Sequence, residues 1–114
     1  MLKTKEKGLL QNIVRHCESI ERIIKNLTKE QFESDEDKRD LVCFHILQIG
    51  ELAKHFDDNF IVNHPGVPWN KIKGMRDKVA HGYDTIKTER VWSTAIEDIE
   101  PLHEYCLKIL EEDK

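Results

Sequence analysis

The amino-acid sequence predicts an all-α fold, an antiparallel four-helix bundle in which a short third helix carries the candidate site. Apolar residues recur every three or four positions over long segments, which aligns them on one face of a helix. No segment alternates apolar and polar residues for more than a few positions, as a strand would. With 114 residues, of which 39% are hydrophobic and 35% charged, the chain has the size of a single domain, predicted over residues 1–114.

The first helix is predicted over about residues 4 to 27, where charged residues separate the members of a long apolar stripe. That stripe consists of Leu9, Leu10, Ile13, Val14, Cys17, Ile20, Ile23, Ile24 and Leu27. The acidic segment from Thr28 to Asp37 contains one large apolar residue, Phe32. Ser34 or Asp35 could cap the helix that follows, because either side chain accepts a hydrogen bond from a free N–H of the first turn.

The second helix is predicted over about residues 36 to 56, with a broad apolar face. The residues expected to be buried there are Leu41, Phe44, Leu47, Ile49, Leu52 and Phe56. Gly50 lies inside this helix, where glycine lowers stability relative to alanine. We interpret Gly50 as the mark of a close contact with another helix.

A loop is predicted from Asn59 to Trp69, because His64-Pro65-Gly66-Val67-Pro68 groups helix-breaking residues. Pro68 suits the first turn of a helix, where its missing N–H is not needed. The third helix is therefore predicted over about residues 68 to 80, with Ile72, Met75 and Val79 inward. Gly82 is expected to end it as a left-handed cap.

The last helix is predicted over about residues 88 to 111. Its inward residues are expected to be Val91, Trp92, Ala95, Ile96, Ile99, Leu102, Cys106, Ile109 and Leu110. Pro101 lies inside this pattern and should kink the helix, because proline removes one hydrogen bond of the helical ladder.

Cysteine usage and hydropathy exclude several classes of protein. Cys17, Cys43 and Cys106 cannot all pair within the chain, and no two of them have C-x-x-C spacing, so we expect buried thiols rather than disulfides or a zinc site. No apolar run approaches the roughly 18 residues of a membrane span, and the amino terminus does not resemble a signal peptide. We expect a cytoplasmic protein with no membrane partner.

The net charge of −4 conceals an uneven distribution. From Trp69 to Arg90 the chain has six basic and three acidic residues, whereas from Glu97 to Lys114 it has two basic and seven acidic residues. A polyanion such as RNA is therefore expected to prefer the first of these segments.

The segment from Gly74 to Asp84 combines three chemically active side chains, Arg76, His81 and Tyr83. Residues five apart on a continuous helix point about 140° away from each other, so Arg76 and His81 share a face only if the helix stops. The stop expected at Gly82 would free His81 from the helical track. From spacing alone, the more frequent explanation of these residues is structural: a solvated arginine, a histidine that contacts the last carbonyls of a helix and a packed tyrosine ring.

The same segment resembles a known family. Pro65-Gly66-Val67-Pro68-Trp69, then Met75-Arg76-Asp77 and His81-Gly82-Tyr83, are similar to the signature of the HepT-like family of HEPN proteins, the toxins of HEPN/MNT toxin–antitoxin pairs. The motif of that family is R-x4-6-H-x-Y with a polar residue after the arginine. Ile49-Gly50-Glu51-Leu52-Ala53 is also similar to its pattern, and the length and helical layout agree along the chain.

The resemblance implies a metal-independent endoribonuclease without a cofactor, active as a homodimer. Cleavage of RNA without a metal needs a base, an acid and a cation for the phosphate. The implied catalytic residues are His81 as general acid/base and Arg76 as phosphate clamp, with Asp77 orienting them. Lys71, Lys73 and Lys78 are candidates for binding the RNA backbone.

The implied partner is an MNT-type nucleotidyltransferase antitoxin, which would adenylylate Tyr83 and could form a larger hetero-oligomer with the dimer. An AMP group on Tyr83 would bring bulk and negative charge next to His81 and repel RNA. A non-enzymatic alternative remains, in which the chain is only a binding subunit and modification acceptor of that nucleotidyltransferase.

A metal site is a second alternative. Glu100 and His103 have the Glu-x-x-His spacing of di-iron bundles, and Glu51 and His55 are four residues apart. The chain has no second Glu-x-x-His, so we predict no metal site. His16, His45 and His64 have no partner at ligand spacing and are expected to be structural.

Overall fold

A computed structural model of the chain describes residues 1–82 and 85–113. The helices are α1 (Thr4–Ile24), α2 (Lys29–Glu33), α3 (Glu36–Ala53), α4 (Asp58–Asn63), α5 (Trp69–Gly82), α6 (Thr88–Ser93) and α7 (Ile99–Glu112), with a π-helical stretch, Thr94–Asp98, joining the last two. No strand occurs in the described ranges, which confirms the predicted all-α class. None of these helices is both long enough and apolar enough to span a lipid bilayer.

The long helices pack around a common apolar core, with α1 against α3 and α7, and α3 against α5. The side chains with the least exposure are Leu10, Ile13, Cys17, Ile20, Phe32, Val42, Ile49, Val91, Leu102 and Cys106. α1 and α7 run antiparallel, because the backbone N–H of Leu2 donates to Asp113 Oδ1 at 2.6 Å while Glu21, near the other end of α1, contacts His103 near the start of α7. Cys17, Cys43 and Cys106 are free and buried, as predicted.

The segment that joins α1 to α3 is more ordered than its acidic composition indicates. α1 ends at Ile24 rather than 27, and Asn26 adopts a left-handed φ of 65°, which Asn tolerates better than most residues. Thr28 then caps the short α2, which places Phe32 in the core. Asp35 caps α3 by accepting from the backbone N–H of Lys38, so of the two caps predicted, Ser34 or Asp35, it is Asp35 that is used.

The predicted burial of the second helix is wrong in part. Leu41 and Phe44 are 49% and 50% exposed, and Val42, Cys43 and Ile46 are buried instead. Ile49 and Phe56 are buried as predicted, whereas Leu47 and Leu52 are only partly buried. α3 is apolar on more than one side, so periodicity alone could not identify which side faces α1 and α5.

The region predicted as a loop contains α4, because Asp58 to Asn63 forms one and a half helical turns before the breaker cluster begins. Within the cluster, a Cβ on Gly66 would overlap the ring of Tyr105 in α7. The indole Nε1 of Trp69 donates to the carbonyl of His64 at 2.9 Å. The Pro-Gly-Val-Pro-Trp sequence thus anchors the start of α5 to α7.

The predicted last helix is divided into α6, a π-helical turn from Thr94 to Asp98, and α7, which has Pro101 in its first turn. Proline has no N–H to offer the carbonyl four residues earlier, at Glu97, so the ladder is rearranged just before it. The prediction for Ile96 is wrong, since this side chain is 46% exposed. The wider π turn changes the direction of side chains relative to a regular α-helix.

Candidate functional site

Arg76 lies in α5 and packs closely against α3. A Cβ built on Gly50 of α3 would overlap the Cβ and Cγ of Arg76. The interpretation of Gly50 as a close helix contact is therefore confirmed, and the neighbour is a residue of the candidate site. The side chain of Arg76 is 22% exposed, so most of it is covered by its neighbours while part of it remains accessible.

The guanidinium of Arg76 is held by two carboxylates. Glu51 Oε1 accepts from Nε at 2.6 Å and also pairs with the second terminal nitrogen, Nη2. Asp77 Oδ1 accepts from Nη1 at 2.8 Å. A guanidinium has five N–H groups, so with respect to the described residues each terminal nitrogen keeps one N–H for another acceptor.

The pKa values of this cluster follow from the same contacts. The hydrogen bonds from Arg76 hold the pKa of Glu51 and the pKa of Asp77 below their usual ranges. The hydrogen bonds to Asp77 and Glu51 raise the pKa of Arg76. All three groups are therefore charged at neutral pH, and the arginine is a permanent cation.

His81 lies inside α5, which contradicts the prediction that the helix stops before it. Helix α5 extends to Gly82, and no described glycine has a positive φ, so Gly82 is not a left-handed cap. The carbonyl of Gly82 instead accepts from the hydroxyl of Thr85 at 2.7 Å. His81 is exposed, and by helical geometry it points about 140° away from Arg76.

Asp77 lies between these two residues on the helix. It bonds to Arg76 directly, and His81, one turn later, is among the charges that lower the pKa of its carboxyl. The orienting role expected for Asp77 stays a prediction. Within one chain, however, Arg76 and His81 face different directions.

A groove of about 440 Å³ runs beside Arg76, between the end of α3, α4 and the start of α5. The apolar residues that line it include Phe56, Ile61 and Trp69. The polar and charged residues that line it are Lys54, Asn70, Lys73, Arg76, Asp58 and Asp77. The groove thus combines cations and apolar surface beside Arg76.

The three lysines proposed to bind the RNA backbone differ in their surroundings. Lys73 and Lys78 are exposed on α5. Lys71 is also exposed, but its Nζ lies 3.7 Å from Asp98 Oδ1, which neutralises part of its charge. Tyr83, the predicted site of modification, lies outside the described residues.

Two of the residues considered for a metal site have other partners. Glu51 is engaged by Arg76, and His103 contacts Glu21 of α1 at 2.7 Å rather than any ligand near Glu100. Among the residues that the structure describes, no group of three or more His, Cys, Asp and Glu side chains is arranged to hold a metal ion.

The tertiary structure also creates a contact that spacing did not predict. The Nδ1 atoms of His16 in α1 and His45 in α3 lie 2.9 Å apart. Spacing along the chain indicated no partner for these two histidines, because they are 29 positions apart and only the packing of α1 on α3 joins them. His64 packs instead on the ring of Phe60, with centroids 4.3 Å apart.

Comparison with known proteins gives a consistent result over most of the chain. A family model described as "Ribonuclease HepT-like" matches residues 13–109. The chain is 30% identical over 105 residues to a protein of Caldanaerobacter subterraneus subsp. tengcongensis that is named as a presumed RNase, covering 92% of this chain and 94% of that protein. It is 32% identical over 101 residues to "Probable ribonuclease HepT" of Thermococcus cleftensis, covering 89% of this chain and 92% of that protein. No solved structure gives a significant match.

Proposed function

The chain belongs to the ribonuclease HepT-like family, and from this premise we propose that it is the toxin of a HEPN/MNT toxin–antitoxin pair and an endoribonuclease that needs no metal ion. One observation carries the proposal. Arg76 is fixed by Glu51 and Asp77 with an N–H left on each terminal nitrogen, on the same short helix as the exposed His81. A fixed guanidinium with two free N–H groups suits the two oxygens of a phosphodiester.

The chemistry requires two proton transfers. A base removes the proton of the 2′-hydroxyl, and the 2′-oxygen attacks the phosphorus. An acid protonates the 5′-oxygen as the bond between this oxygen and phosphorus breaks. The products are a 2′,3′-cyclic phosphate and a free 5′-hydroxyl. Arg76 stabilises the charge on the phosphorus oxygens while His81 transfers a proton.

We propose that the active form is a homodimer with two copies of His81 in one cleft. Each chain has one histidine in the motif, and the reaction needs both a base and an acid. The angle of about 140° between Arg76 and His81 supports the same conclusion, because two side chains that point so far apart on one helix do not easily contact the same phosphate. A second copy related by a two-fold axis supplies the missing groups.

A cleavage assay tests the activity directly. The unmodified purified chain is incubated with a single-stranded RNA in EDTA, and the ends of the products are identified by mass. We expect cleavage with cyclic phosphate ends, and no cleavage where the reacting 2′-hydroxyl is replaced by hydrogen. If the unmodified chain leaves RNA intact, it is not the proposed ribonuclease, and its role reduces to that of a modification acceptor.

The regulatory half of the proposal concerns Tyr83. We propose that its hydroxyl attacks the α-phosphorus of ATP in the partner nucleotidyltransferase, so that Tyr83 carries AMP and pyrophosphate leaves. The test incubates wild type, Tyr83→Phe and Tyr105→Phe with that enzyme, Mg²⁺ and ATP. We expect the intact mass to increase by AMP units in wild type and in Tyr105→Phe, but not in Tyr83→Phe. Tyr105→Phe is the control, because the ring of Tyr105 packs on Gly66. Equal labelling of Tyr83→Phe would refute the assignment.

A further inference from the structure

We propose that Glu51, with Gly50 beside it, positions Arg76 for the cleavage of RNA, so that α3 supports a catalytic side chain carried by α5. This inference rests on the proposed ribonuclease function, because it assigns Glu51 a role in that reaction. Glu51 is not part of the R-x4-6-H-x-Y motif, and it acts through Arg76 rather than on the RNA.

The first part of the argument is the approach of the two helices. The position of Gly50 leaves room only because glycine lacks a Cβ, since a Cβ there would overlap the Cβ and Cγ of Arg76. The stem of Arg76 therefore lies directly on the backbone of α3. From this position its head reaches Glu51, the next residue of α3.

The second part is the way in which the guanidinium is bound. A single oxygen of Glu51, Oε1, engages both Nε and Nη2, and Asp77 engages Nη1 from the side of α5. Two carboxylates on two different helices thus fix both the position and the plane of the group. The two N–H groups that remain, one on each terminal nitrogen, are held in a fixed direction.

The third part is the balance of charge. Two carboxylates beside one guanidinium reduce the positive potential that attracts RNA, so Glu51 weakens binding by simple electrostatics. Lys54 offsets part of this, with its Nζ 3.8 Å from the other oxygen of Glu51. A residue that opposes binding and yet holds Arg76 is expected to contribute through orientation, and orientation affects the chemical step more than the binding step.

Glu51→Gln tests this distinction, because glutamine has nearly the same shape but lacks the charge. We expect kcat for a single-stranded RNA to fall roughly tenfold or more, while KM stays the same or decreases. Glu104→Gln, a substitution of an exposed glutamate on α7, is the matched control and should leave both constants unchanged. If Glu51→Gln cleaves RNA as fast as wild type or faster, the positioning role is refuted.

Gly50→Ala provides a second test that changes no charge. The added methyl group displaces the stem of Arg76, so kcat should fall as in Glu51→Gln, and KM should not decrease. Circular dichroism establishes whether the variant folds. If it does not fold, the result for Glu51→Gln decides the question alone.

A double-mutant cycle with Arg76→Lys shows whether Glu51 acts through Arg76. A lysine cannot present two nitrogens to one carboxylate oxygen, so Glu51→Gln should have little further effect on kcat in that background. An equal loss in both backgrounds would overturn the proposal. If wild type itself does not cleave RNA, the proposed function fails and this inference with it, whereas an active wild type with an unaffected Glu51→Gln variant overturns only the inference.

Discussion

Two clusters in this protein join a basic side chain to carboxylates across a helix interface, yet they differ in what remains available to a ligand. Between α3 and α5, Arg76 contacts Glu51 and Asp77, keeps an N–H on each terminal nitrogen and lies on the same helix as the exposed His81. Between α1 and α7, His103 is 15% exposed and its Nδ1 lies 2.7 Å from Glu21.

The remaining nitrogen of His103 shows the contrast. Its Nε2 is buried without a hydrogen-bond partner among the described residues, at 4.0 Å from Glu18. A ligand therefore has no access to this histidine, although its pairing is as close as that of Arg76. The comparison teaches that paired charges alone do not make a candidate site, because such a site also needs donors that a ligand can reach.

The largest expected effect is on activity. His81→Ala should lower RNA cleavage by roughly a hundredfold to ten-thousandfold, because it removes a proton-transfer group. The helical circular dichroism signal should not change, since His81 is exposed. His55→Ala, which removes another exposed histidine, is the control. Similar losses in both variants would show that the effect is not specific to the motif.

His103→Ala is expected to have the opposite profile. It should lower the free energy of unfolding by about 1 to 3 kcal/mol, because it leaves the partly buried carboxylate of Glu21 without its partner. RNA cleavage well below the unfolding temperature should equal that of wild type. Thermal unfolding and the cleavage assay together check this, and a loss of kcat without a loss of stability would place His103 in the active site.

A third histidine contact predicts a smaller effect that depends on pH. Burial lowers the pKa of His16 and the pKa of His45. The charge of Arg15 lowers the pKa of His16 further, and the charges of His16 and Arg22 lower the pKa of His45 further. The folded chain therefore binds protons less readily than the unfolded chain, and stability present above about pH 6.5 is lost as the pH falls below that value.

Chemical denaturation between pH 7.5 and about pH 5 measures this slope, since the carboxyl groups of Glu51 and Asp77 titrate at lower pH. His45→Gln should make the slope shallower in this range. An unchanged slope in the variant would show that the contact between the two histidines does not couple to protonation.

The smallest expected effect concerns RNA affinity. Lys78→Ala and Lys73→Ala should each weaken RNA binding a few-fold. Each should also make the slope of the logarithm of the binding constant against the logarithm of the salt concentration shallower by about 0.7. Lys71→Ala should have less effect, because Asp98 already neutralises part of its charge. Lys108→Ala, in the acidic last helix, is the control. An equal change at Lys108 would mean that binding follows overall charge and not the surface of α5.

The sequence by itself determined the all-α class, the approximate position of each long helix and the identity of the motif residues. These depend on local properties: apolar periodicity in α1 and α7, the cap at Asp35, and the order of Arg76, Asp77 and His81 along the chain. It also identified Gly50 correctly, because a glycine within a helix has few explanations besides a close contact.

Only the tertiary structure decided which residues meet. Glu51 and Arg76 are 25 positions apart, as His16 and His45 are 29 apart, and no periodicity specifies such pairs. Likewise the exposure of Leu41 and Phe44 depends on which side of α3 the neighbouring helices cover. The extension of α5 through Gly82 was also decided by the folded chain, since glycine permits a left-handed cap but does not require one. Local preferences thus determine the helices, whereas long-range packing determines the site.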